Sequence, residues 1–337
     1  MSHKILVTLG PSSMSEDTVK RCADHGVYLF RINLSHTPLD AVAPAIEQIS
    51  SWTDVPICLD SEGAQLRNQK MSSDYVTFAE GDTVNIHFDP VTGDASNISF
   101  APIGIARQFV VDDEINLDFD HVRLRVADIS AESATAVVLS GGVVGSNKAA
   151  DVERDLNFEP LTEKDTEAIK IGLGMGIRNF ALSFANRPED VEKMREVCGP
   201  DANIICKIES PSGLANLEDI VERADEILID RGDLSRKVPI EKVPFLQRRI
   251  ISFARSRKTP VFVATNLLES MVTRKSPTRA EVNDVVSTLL MGADGLVLAA
   301  ETAIGGYPVE SVAMVRNLID ESVAWTPDTS LAEILGT

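Results

Sequence analysis

The chain has 337 residues, of which 44% are hydrophobic and 25% charged, an ordinary balance for a globular protein in water. Acidic residues number 51 against 32 basic ones, a net charge of −19 that argues against general affinity for nucleic acid or anionic membrane. No apolar run approaches bilayer-crossing length, and the opening MSHKILVTLG reads as a strand entering a turn instead of a leader, so a cytoplasmic protein is expected.

In chain order, Lys4 to Gly10 reads as a buried strand, stopped by Gly10-Pro11-Ser12-Ser13. Ser15 is placed to N-cap a helix running to about His25. Val27 to Asn33 forms the next strand, and side-chain alternation places Arg31, Asn33 and Ser35 on one face, a set suited to phosphate. A helix from Pro38 to Trp52 precedes a third strand, Val55 to Asp60, that ends in a carboxylate. From about Asn68 to Asn157 the helical period gives way to short alternating runs, TVNIHFD, EINLDFD, HVRLRVADI and TAVVLSGG, separated by Gly-Asp, Asp-Asp and Gly-Gly turns. This stretch reads as a small all-β domain inserted in a barrel loop, placed to cap the barrel mouth.

The strand–helix rhythm resumes at Leu161-Thr162-Glu163-Lys164-Asp165, where Thr162 and Asp165 form a capping-box-like start. Strands follow at 180–184, 203–208, 226–230, 261–265 and 295–301, with helices over 241–257, 279–291 and 309–323. Three strands before the insertion and five after it predict a TIM (β/α)8 barrel. The expected division is 1–67 with 158–324 for the barrel, 68–157 for the inserted β domain, and 325–337 for a tail. Cys22, Cys58, Cys198 and Cys206 lie far apart with no C-x-x-C pair, as expected of buried free thiols in a reducing compartment.

The stretch from Asn203 to Ser235, NIICKIESPSGLANLEDIVERADEILIDRGDLS, is a strand, a helix and a strand. The first strand carries Lys207 and runs out at Glu209, and the second delivers Arg231-Gly232-Asp233. Function in such barrels sits where the strands end, so these charges are expected to point into one shared mouth. One Lys and two carboxylates there suit Mg²⁺, which takes one or two carboxylates and completes its octahedron with substrate oxygens and water.

The chain resembles the pyruvate kinase family to about Val323. Matching segments are Thr8-Leu9-Gly10-Pro11-Ser12-Ser13, Arg31-Ile32-Asn33-Leu34-Ser35-His36, Leu59-Asp60-Ser61-Glu62-Gly63, Leu161-Thr162-Glu163-Lys164-Asp165, Lys207-Ile208-Glu209, Arg231-Gly232-Asp233-Leu234, the run Ala264 to Met271, Pro277 to Glu281, and Glu301-Thr302-Ala303. The resemblance implies divalent-metal-dependent phosphoryl transfer between phosphoenolpyruvate and ADP, giving pyruvate and ATP. Glu209 and Asp233 would hold Mg²⁺ or Mn²⁺, Lys207 would neutralise the phosphoryl group in transit, and Arg31 would hold that phosphate. Thr265 would stand beside the methylene carbon, with Gly232 and Asp233 offering backbone N–H groups to the substrate carboxylate. Asn33, Ser35, Asp60 and Ser61 would form a monovalent-cation (K⁺) site, and His36, Arg67 and Lys148 would face the nucleotide phosphates. A homodimer through the barrel is the implied assembly.

Several positions depart from the family pattern. Glu62 stands where the family usually has Lys, and Gln65 replaces the usual Glu tied to K⁺ dependence. The insertion's exit reads Ser146-Asn147-Lys148-Ala149-Ala150-Asp151, Ala300 precedes Glu301 in place of glycine, and Ser235 follows Leu234. The family's usual C-terminal domain is also expected to be missing. The metal end of the site is thus intact while the nucleotide end is altered. Weakened ADP binding follows, and two alternatives stay open: an enzyme of a pyruvate-like enolate with another acceptor or carbon–carbon or carbon–phosphorus chemistry, or a non-catalytic relative.

Overall fold

Short runs of β-branched and aliphatic residues, each followed by an amphipathic helix, leave a strand no place to hide both faces except inside a ring of helices. In the computed structural model, which describes residues 3–118, 121–154, 156–325 and 328–335, eight such strands close into a parallel barrel. They are β1 (Lys4–Leu9), β2 (Leu29–Asn33), β3 (Ile57–Asp60), β4 (Asn179–Leu182), β5 (Asn203–Ile208), β6 (Glu226–Asp230), β7 (Val261–Ala264) and β8 (Gly295–Leu298). Each pairs with its sequence neighbour, and β8 returns to β1 through Lys4↔Gly295 to Val7↔Leu298. The fold is the expected TIM barrel with a β insertion after the third strand.

Alternation along these strands builds the barrel in layers. Inside, Leu6, Leu29, Cys58, Ala181, Ile205, Leu228, Phe262 and Val297 form a dry plug, one residue from each strand. Outward residues such as Val7, Phe30, Ile204 and Ile229 pack on the helices, where Ile46, Met194, Ile250, Ile251 and Val315 are buried. Two residues beyond the plug, the inward positions turn polar: Thr8, Arg31, Asp60, Ser183, Lys207 and Asp230 are all buried. The apolar layer is a floor, and the polar layer above it, at the C-terminal strand ends, has to satisfy its own charges.

The chain divides into two compact units, Met1–Gly63 with Pro160–Thr337, and Ala64–Glu159. In the second, a seven-stranded sheet runs in the spatial order Ala150–Val152, Glu114–Leu117, Val122–Ile129, Ser133–Ser140, Thr83–His87, Asn97–Ala101, Arg67–Asn68. Gly142–Val144 pairs separately with Val76–Phe78. Val122, Leu124 and Val126 alternate with exposed residues and fill this unit's own core.

Caps follow the local chemistry. Ser15 accepts from Thr18 N at the start of helix Glu16–Asp24, and Thr162 with Asp165 closes a full capping box on helix Glu163–Gly174. β2 stops at Asn33, because Asn33 Oδ1 accepts from Ser35 N at 2.9 Å and turns the chain. Alternation therefore ends there: Arg31 is buried, whereas Ser35 is exposed and does not share its face as the strand pattern had predicted. All four cysteines are buried and free. Among the described residues, no helix is long and apolar enough to cross a membrane. Part of the expected tail, 326–327 and 336–337, lies outside the described residues, and Leu331–Leu335 is a short helix.

Candidate active site

Lys207 is the centre of the polar layer. Its Nζ lies 2.7 Å from Glu209 Oε1, 3.6 Å from Asp60 Oδ2 and 3.7 Å from Asp230 Oδ2, and it donates to Ser183 Oγ at 3.1 Å. Burial alone would lower its pKa, but the charges of Asp60, Glu209 and Asp230 outweigh that and hold it above the usual lysine value. Arg31 enters from β2, with Nη1 bonded to Asp60 Oδ2 at 2.8 Å and Nε donating to Thr8 Oγ1 at 2.9 Å. Ser183 ties the floor of this network: its hydroxyl donates to Ser61 O at 2.7 Å and its N–H to Ser61 Oγ at 2.9 Å.

Glu209, Asp230 and Asp233 each place a carboxylate oxygen within 4.8 Å of the others, the span that one cation bridges. Glu209 Oε2 accepts from Phe184 N at 3.0 Å, while Oε1, fully buried, contacts Lys207 as an ion pair and accepts no hydrogen bond. Burial pushes the Glu209 carboxyl up to about 7; Lys207 opposes this, and Asp230 and Asp233 reinforce it. Asp233, half-exposed and 3.3 Å from Arg236, is also raised by burial and then by Asp230. Four carboxylates here (Asp60, Glu209, Asp230, Asp233) face two buried cations, Arg31 and Lys207, and the exposed Arg236 beside Asp233, so the cluster stays net negative when all are ionised. A divalent cation fits that negative balance, with Glu209, Asp230 and Asp233 close enough together to share it. Asp230 was absent from the sequence-derived set, although the polar end of an apolar strand beside Glu209 was the available signal.

Arg231 does not enter the mouth. Its guanidinium donates to Thr265 O at 2.7 and 3.2 Å and to Ala264 O at 3.3 Å, and pairs with Asp284 at 2.7 Å. That grip explains Thr265, a β-branched residue at φ +68°, where the backbone is strained by about 1–3 kcal/mol. The strained turn aims Thr265 Oγ1 at Gly232 N, which donates to it at 2.7 Å. Asn266, the next residue of the same turn, is also left-handed at φ +53°, and Phe184, just after β4, has φ +52°. Glu301 is a brace, accepting from Leu268 N at 3.1 Å and Ala299 N at 2.9 Å, and Thr302 Oγ1 donates to Thr8 O at 2.7 Å.

The remaining predicted residues are placed as follows. Asp60 is already paired with Arg31, Ser61 with Ser183, and Asn33 with the Ser35 N–H. His36 is exposed in the turn after β2. Arg67 and Lys148 belong to the inserted unit, where Arg67 donates to Gln65 Oε1 at 3.0 Å and Asn147 O at 3.2 Å and Lys148 lies 3.5 Å from Asp118. Glu62 pairs with Lys164 at 3.2 Å, so its charge is partly neutralised within the barrel unit.

A closed β/α barrel with a lysine, an arginine and a carboxylate cluster at its strand ends is an architecture for electrostatic handling of an anionic substrate on a divalent cation. The family model described as pyruvate kinase, barrel domain, matches residues 1–312. The chain is 34% identical over 325 residues to a pyruvate kinase of Mycobacterium tuberculosis, covering 94% of this chain and 69% of that one. It is 35% identical over 328 residues to a pyruvate kinase of Thermococcus litoralis, with 94% and 69% covered, and 33% identical over 330 residues to one of Thermotoga maritima, with 95% and 71% covered. The chain belongs to the pyruvate kinase family.

Proposed function

We propose that the protein catalyses divalent-metal-dependent phosphoryl transfer between phosphoenolpyruvate and ADP. The observation that carries this is the cluster of buried Lys207, Arg31 and Glu209 with half-exposed Asp233 at one barrel mouth. Glu209 and Asp233 would hold Mg²⁺ or Mn²⁺, which when bound supplies Lewis-acid stabilisation of negative charge on oxygen. Lys207 and Arg31 carry the positive charge that a phosphoryl group in transit requires, already desolvated and fixed by Ser183, Thr8 and Asp60. Thr265, held rigid by Arg231, presents its hydroxyl beside Gly232 at the edge where the three-carbon skeleton would lie. His36, Arg67 and Lys148 are the proposed nucleotide-phosphate contacts, and Asn33, Ser35, Asp60 and Ser61 the proposed K⁺ ligands.

A coupled assay for pyruvate tests this directly. Pyruvate release should require phosphoenolpyruvate, ADP and Mg²⁺ together, and Lys207→Met should abolish it. ADP-independent release, or none with Mg²⁺ or Mn²⁺ in the presence and absence of K⁺, refutes the assignment. A second reading keeps the metal end but changes the acceptor. It is favoured by Glu62, whose carboxylate occupies Lys164 near the rim after β3. Phosphoenolpyruvate consumption with an acceptor other than ADP would decide for it.

A further inference from the structure

A cavity of about 360 Å³ lies between the turn after β7 and the short helix Ala300–Ala303 after β8. Thr265 lines it, whereas Lys207, Glu209, Asp230 and Asp233 do not, so it adjoins the site at the end away from the carboxylate cluster. Its walls are apolar. The chain leaves β8 through Ala299 and Ala300, whose methyl groups fill little of the space, and Val272 and Ile304 add aliphatic surface. Among the described residues that line it, none is Lys, Arg or His. Both charges at its edge are negative: Glu269 is exposed, and Glu301 is 1% exposed, with its two oxygens held by the N–H groups of Leu268 and Ala299.

We propose that this cavity is a specificity pocket for an uncharged, apolar substituent on the substrate carbon that Thr265 stands beside, so that the substrate class extends to enol phosphates of α-keto acids larger than pyruvate. This rests on the function proposed above, which sets the substrate's metal-binding end at Glu209 and Asp233 and its terminal carbon at Thr265. Size and charge both support it. The volume lies within the roughly 300–1,000 Å³ of small-molecule pockets, and a bare methylene leaves it to water. An alkyl group on that carbon would exchange this water for contact with Val272, Ala299, Ala300 and Ile304. A carboxylate in the same place would meet buried Glu301, whose oxygens already take backbone donors, with no cation in the lining to offset the repulsion. Selection thus combines an attractive wall with a repulsive one. Phosphoenolpyruvate still binds through the shared metal end and leaves the cavity unfilled.

α-Ketovalerate and α-ketoglutarate test this, because both chelate a metal through the same end and extend that carbon by groups of similar size, one ending in methyl and the other in carboxylate. Each of them, and pyruvate, is used to displace oxalate from the Mn²⁺-loaded full chain, with displacement followed by electron paramagnetic resonance. Burial of the ethyl group should let α-ketovalerate bind about tenfold more tightly than pyruvate. α-Ketoglutarate should bind at least tenfold more weakly than α-ketovalerate. Ala300→Leu, which fills the cavity from an exposed position, should bring the ratio of α-ketovalerate to pyruvate affinity close to unity. Ile304→Arg, at a residue 63% exposed, should move the preference severalfold toward α-ketoglutarate. A merely structural effect of either substitution would change all three ligands together and leave the ratios alone. α-Ketovalerate no tighter than pyruvate on the native chain, or ratios that neither variant moves, overturns this inference alone. Failure of the native chain to bind Mn²⁺ or oxalate overturns the proposed metal site and this inference with it.

Discussion

Replacing Lys207 with methionine keeps the side chain's length and apolar stem and removes only the ammonium. Three carboxylates at 2.7, 3.6 and 3.7 Å then lose their shared counter-charge in a site where Lys207 itself is 6% exposed. Breaking a buried ion pair by deleting one partner costs about 3–5 kcal/mol, because the partner's charge is left desolvated. At about 2–4 °C per kcal/mol for a domain of this size, the metal-free variant should melt on the order of 10 °C lower. Proton uptake limits the loss. With Lys207 present, Glu209 already titrates near 7, and without it the folded-state value rises further above the unfolded one of about 4.3. A carboxyl whose folded pKa is raised binds more protons folded than unfolded, so its contribution to stability falls as pH rises between those two values. Below about pH 7 Glu209 holds its proton in both folded proteins and the penalty should stay level; above 7 only the variant keeps it, and the penalty should grow toward pH 8 by up to about 1.4 kcal/mol per pH unit. Urea unfolding of both proteins in EDTA from pH 5 to 8 measures it. A midpoint that is unchanged, or a penalty that shrinks with rising pH, would refute the placement of Lys207 as the shared counter-ion.

Mn²⁺ binding followed by electron paramagnetic resonance should weaken below pH 7, approaching about tenfold per pH unit, since the proton on Glu209 must leave before the cation binds; a pH-independent Kd from 5.5 to 8 would count against Glu209 as a ligand. Asp165→Ala should destabilise the barrel by about 2–4 kcal/mol in urea. Its buried carboxylate accepts from Glu62 N, Gly63 N, Thr162 N and Thr162 Oγ1 at 2.7–3.1 Å, and all four donors would be orphaned. Leu124→Ala, in the core of the inserted unit, should cost about 2–5 kcal/mol by leaving a cavity, and calorimetry should place the lowered transition in that unit while Mn²⁺ binding at the barrel mouth is retained.

Much of the barrel could be read directly from the chain, for local reasons. Strand runs such as NIICKI and EILID announce themselves by apolar content and by the Gly, Pro and Ser that stop them, and Thr162 and Ser15 cap as their neighbours require. Lys207 and Glu209 are expected in one mouth because both stand where a single strand runs out, and both are buried there, 2.7 Å apart. Tertiary structure alone decided the rest. Asp230 joins the cluster because β5 and β6 pair Ile208 with Ile229, which sets Glu209 beside Asp230; no spacing in the sequence specifies that register. Arg231 looks like a site cation in the motif, yet closure of the barrel brings Ala264 and Thr265 within its reach, and it serves to hold a strained turn. Glu62 reads as a bare charge reversal until the start of helix Glu163–Gly174 brings Lys164 to it. Local propensity and pattern act over a few residues and can name the elements. Which charges neutralise one another depends on distances between residues tens to hundreds of positions apart, and only closing the ring of strands sets those.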